Sequence, residues 1–336
     1  MPVQSDQIQS PGAGAGRLVA VVVTFNRLEK LKVTLARLLE STSNELEAIV
    51  VIDNASRDGT GEWLAGLDEP RLDIVRCAEN LGGAGGFETG MRHASRRHNP
   101  DWMLVMDDDA RPARGALAGF HKVDRSVADA WGAAVFHPGP DRRICDMNRP
   151  AINPFWHRRT LWRTLLGKGR DGFHLGVADY APDAGYRRVD AASFVGLFVS
   201  RAAVARVGYP NGQLFIYGDD TLYTLNLSRQ GGRILFDPGL VFEHDFSTHS
   251  ATDKRFRPLW KSYYHYRNLM MVYRLCSGWF FVLVAPAASL KWLAKVRHHS
   301  GERRAFLAYV LRALRDGIRR HTDVSHDKVL EWGARR

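Results

Sequence analysis

The sequence predicts an α/β protein built on a doubly wound, mostly parallel, Rossmann-like sheet with a helical C-terminal extension. Three observations carry that prediction. Apolar, β-branched runs alternate with segments of helical spacing through the first hundred or so residues. Polar residues gather where those runs end. From about residue 275 the strand pattern gives way to apolar and basic segments.

Met1 to Gly16 is polar and rich in Gly, Pro and Ser; it lacks the apolar stretch of a secretory signal and reads as a disordered leader. Arg17 to Thr24 is a continuous apolar run, the mark of a strand covered on both faces. Leu28 to Glu40 places Leu31, Leu35, Leu38 and Leu39 at helical spacing. Glu47 to Ile52 is a second buried strand, ending at Asp53, and Asp58-Gly59-Thr60 opens a helix through Trp63 and Leu67. Leu72 to Arg76 is a third strand that runs out near Asn80. A helix is predicted from Phe87 to His98, then a fourth strand from Trp102 to Met106 leading straight into Asp107-Asp108-Asp109. Ligands bind sheets of this kind at the carboxyl ends of the strands. Those ends carry Thr24 to Arg27, Asp53, Asn80 to Gly86 and the Asp triplet.

His137 to Tyr186 shows little periodicity and reads as long loops, the usual place for binding segments. Val189 to Ser200 and Arg233 to Phe236 are strand-like, and Thr221 to Gln230 reads as a helix. The chain divides into a leader (1–16), a core domain (17–274, with halves near 17–110 and 111–274) and a basic amphipathic helical tail (275–336). Trp279 to Ala294 is apolar but interrupted by Pro286 and Lys291, and is shorter than the ~20 residues that span a bilayer. Beyond it Phe306, Leu307, Val310, Leu311 and Leu314 fall on one helical face, with Arg312, Arg315, Arg319 and Arg320 on others.

Composition bounds the function. Hydrophobic residues make up 45% of the 336, charged residues 25%, as in an ordinary globular protein. Cys77, Cys145 and Cys276 have no metal-ligand spacing and no even count, which fits a reducing compartment rather than a disulfide framework. From Lys291 onward 12 Lys and Arg face 5 Asp and Glu, so seven of the eleven net positive charges sit in the tail. Such a tail serves nucleic acid, an anionic membrane or an acidic ligand equally well.

The chemistry concentrates in carboxylates. Three adjacent aspartates are costly to ionise together without a cation among them, and in an extended segment Asp107 and Asp109 point the same way. Oxygen ligands of this kind suit manganese or magnesium bridging a diphosphate; a solvated acidic loop is the plain alternative. Asp219-Asp220 sits at a predicted helix start, where acidic residues favour the helix dipole, and where one carboxylate could equally serve as a general base. His244 ends a strand-like stretch and could complete a metal site, with His249 and His265 as competitors that spacing does not rank. Leu81 to Gly86 permits close backbone approach to a phosphate or sugar, yet lacks the P-loop and dinucleotide signatures.

Taken in order, Thr24-Phe25-Asn26-Arg27, Asp53, Asn80 to Phe87, Met106 to Asp109, Asp219-Asp220, His244, Thr252-Asp253-Lys254 and Trp260 to Asn268 resemble the family 2 glycosyltransferases of GT-A fold. They are similar in particular to the bacterial galactofuranosyltransferases. The resemblance covers about Arg17 to Arg274. It implies that Asp107, Asp109 and His244 hold the divalent ion, that Asp220 beside Asp219 is the base, and that Thr24, Phe25, Asn26, Arg27, Asp53 and Asp108 contact the nucleotide. Asn80, Gly82 and Gly83 would line the donor pocket. It further implies a UDP-sugar donor, a glycan or lipid-linked glycan acceptor, and a place in the bacterial cytoplasm, peripheral to the membrane's inner face.

Departures fall on the acceptor side. Polymerising members carry tryptophans where this chain has Ser193-Phe194 and Gly218, and an N-terminal domain that is absent here. Addition of one or a few sugars is therefore expected rather than processive polymerisation. A dTDP-rhamnose-using enzyme is the nearest alternative donor reading. Tyr217-Gly218-Asp219-Asp220 also matches a polymerase signature, but that motif belongs in an antiparallel hairpin, and no nucleic-acid partner is expected. A non-catalytic basic binding protein would not require carboxylates at the strand ends.

Overall fold

The computed structural model describes residues 16–245 and 255–334. Most of the predicted leader, His249 and Thr252 to Lys254 lie outside the described residues. The strands β1 (Leu18–Thr24), β2 (Ala48–Asp53), β3 (Leu72–Arg76) and β4 (Trp102–Asp107) run parallel in the order β3-β2-β1-β4. The connections are α1 (Leu28–Leu39), α2 (Thr60–Ala65) and α3 (Gly82–Arg97). Alternation along β1 feeds two cores: Val19, Val21 and Val23 join one layer, Leu18, Ala20 and Val22 the other. Apolar residues at every position were needed because both faces are covered.

After β4 the winding changes. β5 (Ala110–Pro112), α4 (Ala116–His121), β6 (Ala130–Phe136), α5 (Arg158–Arg163), β7 (Arg187–Val189), β8 (Leu197–Ser200), α6 (Arg201–Val207), α7 (Asp219–Arg229) and β9 (Ile234–His244) follow. They extend the sheet as β4-β8-β6-β9-β5, with β8 antiparallel to β4 and β6, β9 parallel to β6, and β7 on β9. Sequence periodicity missed β5 and β6: β5 is three residues long, and Ala130–Phe136 is rich in Ala and Gly, which carry little strand signal. Arg233 to Phe236 and the strand-like stretch that ends at His244, read separately, fall in one strand, β9. It pairs with β6 throughout, with a bulge where Asp237 faces Ala133 and Val241 faces Ala134.

Helix α3 begins five residues before the predicted start at Phe87, and its glycines explain why. A Cβ on Gly86 would stand 2.4 Å from Val23 Cγ1, and one on Gly90 2.5 Å from Val21 Cγ1. The helix therefore lies closer to the sheet than any side chain permits, at the cost of poor helix propensity.

A third core lies among α8 (Lys261–Ser277), α9 (Phe281–Leu293), α10 (Arg303–Arg319) and α11 (His326–Ala334). The domain break expected at 274/275 falls inside α8, so the helical layer starts at Lys261. The tail helix α10 is docked: Phe306, Tyr309, Val310, Ala313 and Leu314 are buried, and a Cβ on Gly317 would meet the Arg267 carbonyl at 2.6 Å. Its buried face is rotated from the predicted one, leaving Leu311 55% exposed. By length and composition Lys261–His298 is apolar enough to cross a membrane. The run bends at Gly278 (φ 51°), and α9 folds back so that Trp292 packs 5.0 Å from Tyr266 and 5.7 Å from Tyr273.

Candidate active site

The carboxyl edge of the parallel strands brings the predicted residues together. Thr24 closes β1, Asp53 closes β2 and Asp107 closes β4, with Thr24 paired to Asp53 and Val23 to Asp107 in register. Asp108 turns inward: it accepts from Thr24 Oγ1 at 2.7 Å, and burial pushes its carboxyl up to about 6. The triplet's backbone is held by Thr34 of α1, whose buried hydroxyl lies 2.7 Å from the Asp108 carbonyl and 2.9 Å from that of Ala110. Thr34 was not singled out from the sequence, since a helical Thr among leucines carries no distinguishing pattern.

Asp107, Asp109 and His244 each place a ligand atom within 4.8 Å of the others. His244 arrives as the last residue of β9, paired to Ala110 of β5. Its Nδ1 lies 2.8 Å from Asn148 Oδ1, which only accepts, so Nδ1 carries the proton. In the neutral ring Nε2 then presents a lone pair 3.1 Å from Asp109 Oδ1. Two electron-rich atoms at that distance call for a proton or a metal cation between them. The fit to a divalent ion is good: two carboxylates, one imidazole, and an outer amide fixing the ring. Asn148 was missed by sequence reasoning because it sits in the irregular stretch after β6. Of the competing histidines, His265 packs between Tyr217 and Phe256, and burial pushes it down to about 4.

Electrostatics supports the same reading. Burial, then Asp109, Asp108 and Asp219, raise Asp107 well above the usual carboxylate range. Asp109 goes the other way: burial opposes ionisation, but His244 and Arg27 outweigh it. Arg27 binds Asp109 and lies 3.4 Å from Asp108. Lys261, at the start of α8, is lowered by burial and then by the charge of Arg27, so a second cation acts on Arg27 from the helical layer.

The donor candidates divide by role. Asp53 is fully buried; Oδ1 accepts from the Ser56 amide at 2.9 Å, while Oδ2 has no hydrogen-bond partner, its Arg76 neighbour standing at 3.6 Å. A buried, unused acceptor at a strand end suits a ligand N–H or hydroxyl. Phe25, 40% exposed, follows Thr24, the residue paired to Asp53 across the sheet, and Asn26 (φ 53°) is fixed by Ser56 and Arg57. Asn80 is held in the turn before α3 by Asn54, a residue the sequence reading passed over, whose amide reaches Asn80 Oδ1 at 3.1 Å and the Gly82 carbonyl at 2.9 Å. The two glycines differ. A Cβ on Gly82 would meet the Phe215 carbonyl at 2.2 Å, so Gly82 accommodates a neighbouring loop, whereas Gly83 faces open space.

That loop carries the acidic pair. Phe215 (φ 67°), Tyr217 (φ 69°) and Gly218 (φ 77°) turn the chain into α7, whose first residues are Asp219 and Asp220. Burial, then Asp220, pushes Asp219 up to about 7. Asp220 is also raised by burial, against hydrogen bonds from Thr221 and the Phe194 backbone. The Ser193-Phe194 segment thus touches both halves: Ser193 Oγ accepts from Asn148 at 3.0 Å, and Phe194 packs against Phe87 at 5.0 Å.

Comparison with known proteins agrees with this geometry. Residues 19–172 match the glycosyl transferase family 2 model. The chain is 31% identical over 213 residues to galactofuranosyltransferase GlfT1 of Mycolicibacterium smegmatis, across 63% of this chain and 65% of the relative. It is 30% identical over 217 residues to galactofuranosyltransferase GlfT1 of Mycobacterium tuberculosis, across 63% and 64%. The match spans just under two thirds of these relatives' length. Among solved structures, GalNAc-T7 with UDP, GalNAc and Mn2+ superposes with a TM-score of 0.56 at 13% identity, over 79% of this chain and 48% of that one. The likeness is one of fold, GT-A with a mostly parallel sheet.

Proposed function

From a chain that carries a family 2 glycosyltransferase domain, we propose an inverting, metal-dependent glycosyltransferase that moves galactofuranose from UDP-galactofuranose to a hydroxyl of a glycan or glycolipid acceptor in cell-surface polysaccharide synthesis. The observation that carries it is the convergence of Asp107, Asp109 and His244 within 4.8 Å at the strand edge, in the electrostatic field of Asp219. A manganese or magnesium ion held there would neutralise charge on the leaving diphosphate.

The chain's own residues do the rest. Asp53 offers its unused oxygen to the nucleoside, and Arg27 and Lys261 supply positive charge beside the diphosphate. The acceptor hydroxyl attacks the anomeric carbon opposite the leaving group, its proton passes to Asp220, and the bond to the diphosphate oxygen breaks in the same displacement. Burial makes Asp220 more basic than a free carboxylate, which suits that role. Ser193, Phe194 and Gly218 line the acceptor side without the tryptophans of polymerising members, which supports addition of one or a few sugars. The acceptor and the inner face of a bacterial cytoplasmic membrane belong together in this reading.

A dTDP-rhamnose donor is the second reading, favoured by nothing in the site beyond the shared diphosphate. The polymerase reading loses its ground, since Asp219-Asp220 opens a helix rather than sitting in a hairpin between strands. The test is a donor screen measuring nucleotide release with and without manganese. UDP release from UDP-galactofuranose that disappears with chelator is the expected result. Release from dTDP-rhamnose alone would replace the donor, and no release from any sugar nucleotide would end the reading.

A further inference from the structure

Helix α9 is apolar on the side that faces water. Ala285, Ala288 and Trp292 turn inward, while Val282 (74% exposed), Leu283 (69%) and Leu290 (70%) form an outward stripe with Pro286 and Ala287. A helix apolar all round is normally buried or in contact with lipid. The corner that leads into it adds Trp279, 94% exposed, and Phe280, 53% exposed.

A second, sequence-distant segment reaches the same corner. Phe155 lies 6.0 Å from Phe280, and Asn153 donates to the Cys276 carbonyl at 3.2 Å. From there the chain presents Trp162, Leu165 and Leu166, all at least 60% exposed. Exposed cations accompany both pieces: Arg158, Arg159 and Arg163 on the second segment, Lys291 near the end of α9 and Arg297 just past it. Large apolar side chains interleaved with Lys and Arg match the two layers of an anionic bilayer surface, acyl chains below and headgroups above. Folded back on α8 at Gly278, α9 by itself is too short to span. Thirteen residues of α9 reach about 20 Å, against a hydrocarbon core of roughly 30 Å.

We propose that α9, the Trp279-Phe280 corner and the Trp162–Leu166 segment form one monotopic face that lies in the surface of an anionic bilayer, and that this face, not α10, attaches the protein. The docked apolar side of α10 is unavailable for that purpose. A cavity of about 550 Å³ is lined by Asp219, Leu222, Met271 and Gly278, the last preceding Trp279 in the chain, so Asp219 and the corner border one cavity. The proposal rests on the reading above only for the use the face would serve.

The test is co-sedimentation of the full chain, without donor, with vesicles of mixed phosphatidylglycerol and phosphatidylcholine. The Val282→Ser/Leu283→Ser/Leu290→Ser variant is expected to lose at least about tenfold in partition coefficient while keeping its melting transition and its UDP-sugar binding. Trp162→Ser/Leu166→Ser should lose affinity independently, and Arg312→Glu on α10 should not. Unchanged partition of both apolar variants overturns the proposal. So does conversion of a dimer to a monomer by the triple variant with vesicle binding intact, which would make the face a contact between copies. Because binding is measured without donor, a failed sugar-transfer assay leaves this result standing, and the reverse holds as well.

Discussion

Asn268→Leu isolates the support beneath the acidic pair. Asn268 is fully buried in α8, and its amide nitrogen lies 3.0, 2.9 and 2.8 Å from the carbonyls of Leu214, Ile216 and Tyr217. Its oxygen accepts from Arg267 Nε at 2.8 Å, and Arg267 reaches the Leu214 carbonyl itself at 2.9 Å. Leucine keeps the volume and removes every polar partner. Leu214 retains Arg267, so the groups stranded are the Ile216 and Tyr217 carbonyls and Arg267 Nε. At about 1–3 kcal/mol for each of the three unsatisfied groups, less about 1–2 kcal/mol regained by burying leucine, the loss should be roughly 1–8 kcal/mol. The loop it holds keeps Phe215 and Tyr217 at positive φ, conformations that cost ~1–3 kcal/mol each and relax once the amide is gone. A shift of the loop by about 1 Å would lower kcat on the order of 100-fold with little change in KM for the donor. Urea titration gives the first quantity and steady-state nucleotide release the second. Asn268→Asp, which keeps the oxygen toward Arg267 but loses the donors, should show the same kcat loss. Large destabilisation with kcat within about threefold of wild type at a temperature where the variant is folded would refute the positioning argument.

Asp220→Asn should lower kcat at least about 100-fold while leaving UDP-sugar affinity near that of the parent; near-normal turnover would move the base to Asp219. Asp107→Ala, Asp109→Ala and His244→Ala should each weaken manganese-dependent donor binding in calorimetry, and Asn148→Ala should cost about 10–100-fold in metal affinity through the freed imidazole. An unchanged metal requirement in His244→Ala would exclude it as a ligand. At Asp73 burial works against ionisation, but hydrogen bonds with His93 and His98 (2.8 Å each) outweigh it and hold its carboxyl below the usual range. Its contribution is therefore present above the unfolded carboxylate pKa and lost as pH falls through the lower folded value. The melting temperature of Asp73→Asn should lie below wild type at neutral pH and converge with it under acid; parallel curves would remove the assignment.

The first half of the sheet was legible because β1, β2 and β4 are each a run of apolar residues that ends in a polar one, and those endings make up the candidate site. Past β4 the signal weakens for physical reasons. β6 is rich in Ala and Gly where the segment before β8 comes close, a Cβ on Gly132 standing 3.3 Å from Ala192 and one on Gly196 2.8 Å from Ala133, and α3 starts in glycines because it touches the sheet. Asp107, Asp109 and Asp220 could be named from local pattern and resemblance. Spacing alone did not rank His244 above His265; the resemblance chose it, and the pairing of β9 with β5 gives the physical reason, while Asn148, Asn54 and Thr34 act through contacts made across 96, 28 and 76 residues of chain. The tail's buried face was misplaced because Tyr309, Ala313 and Gly317 face α8 where leucine spacing alone selected Leu307 and Leu311.

The bulge in β9 sets the phase of the metal site. Ahead of it, even-numbered Ile234 and Phe236 point into one core and Leu235 into the other. Behind it the parity is exchanged: Leu240 and Phe242 belong to the second core, Val241 to the first. Between Ala133 and Ala134 of β6, β9 inserts three residues, 238 to 240, and an odd number reverses which side even residues occupy. His244 is even and follows the reversed count to Asp109. Deleting one residue from 238–240 would exchange the parity and renumber the histidine together, so the imidazole keeps its face as long as Val241 stays opposite Ala134. The face on which a ligand 244 positions into the chain emerges is thus decided by the partner the strand takes up again after the bulge, not by how many residues the bulge holds.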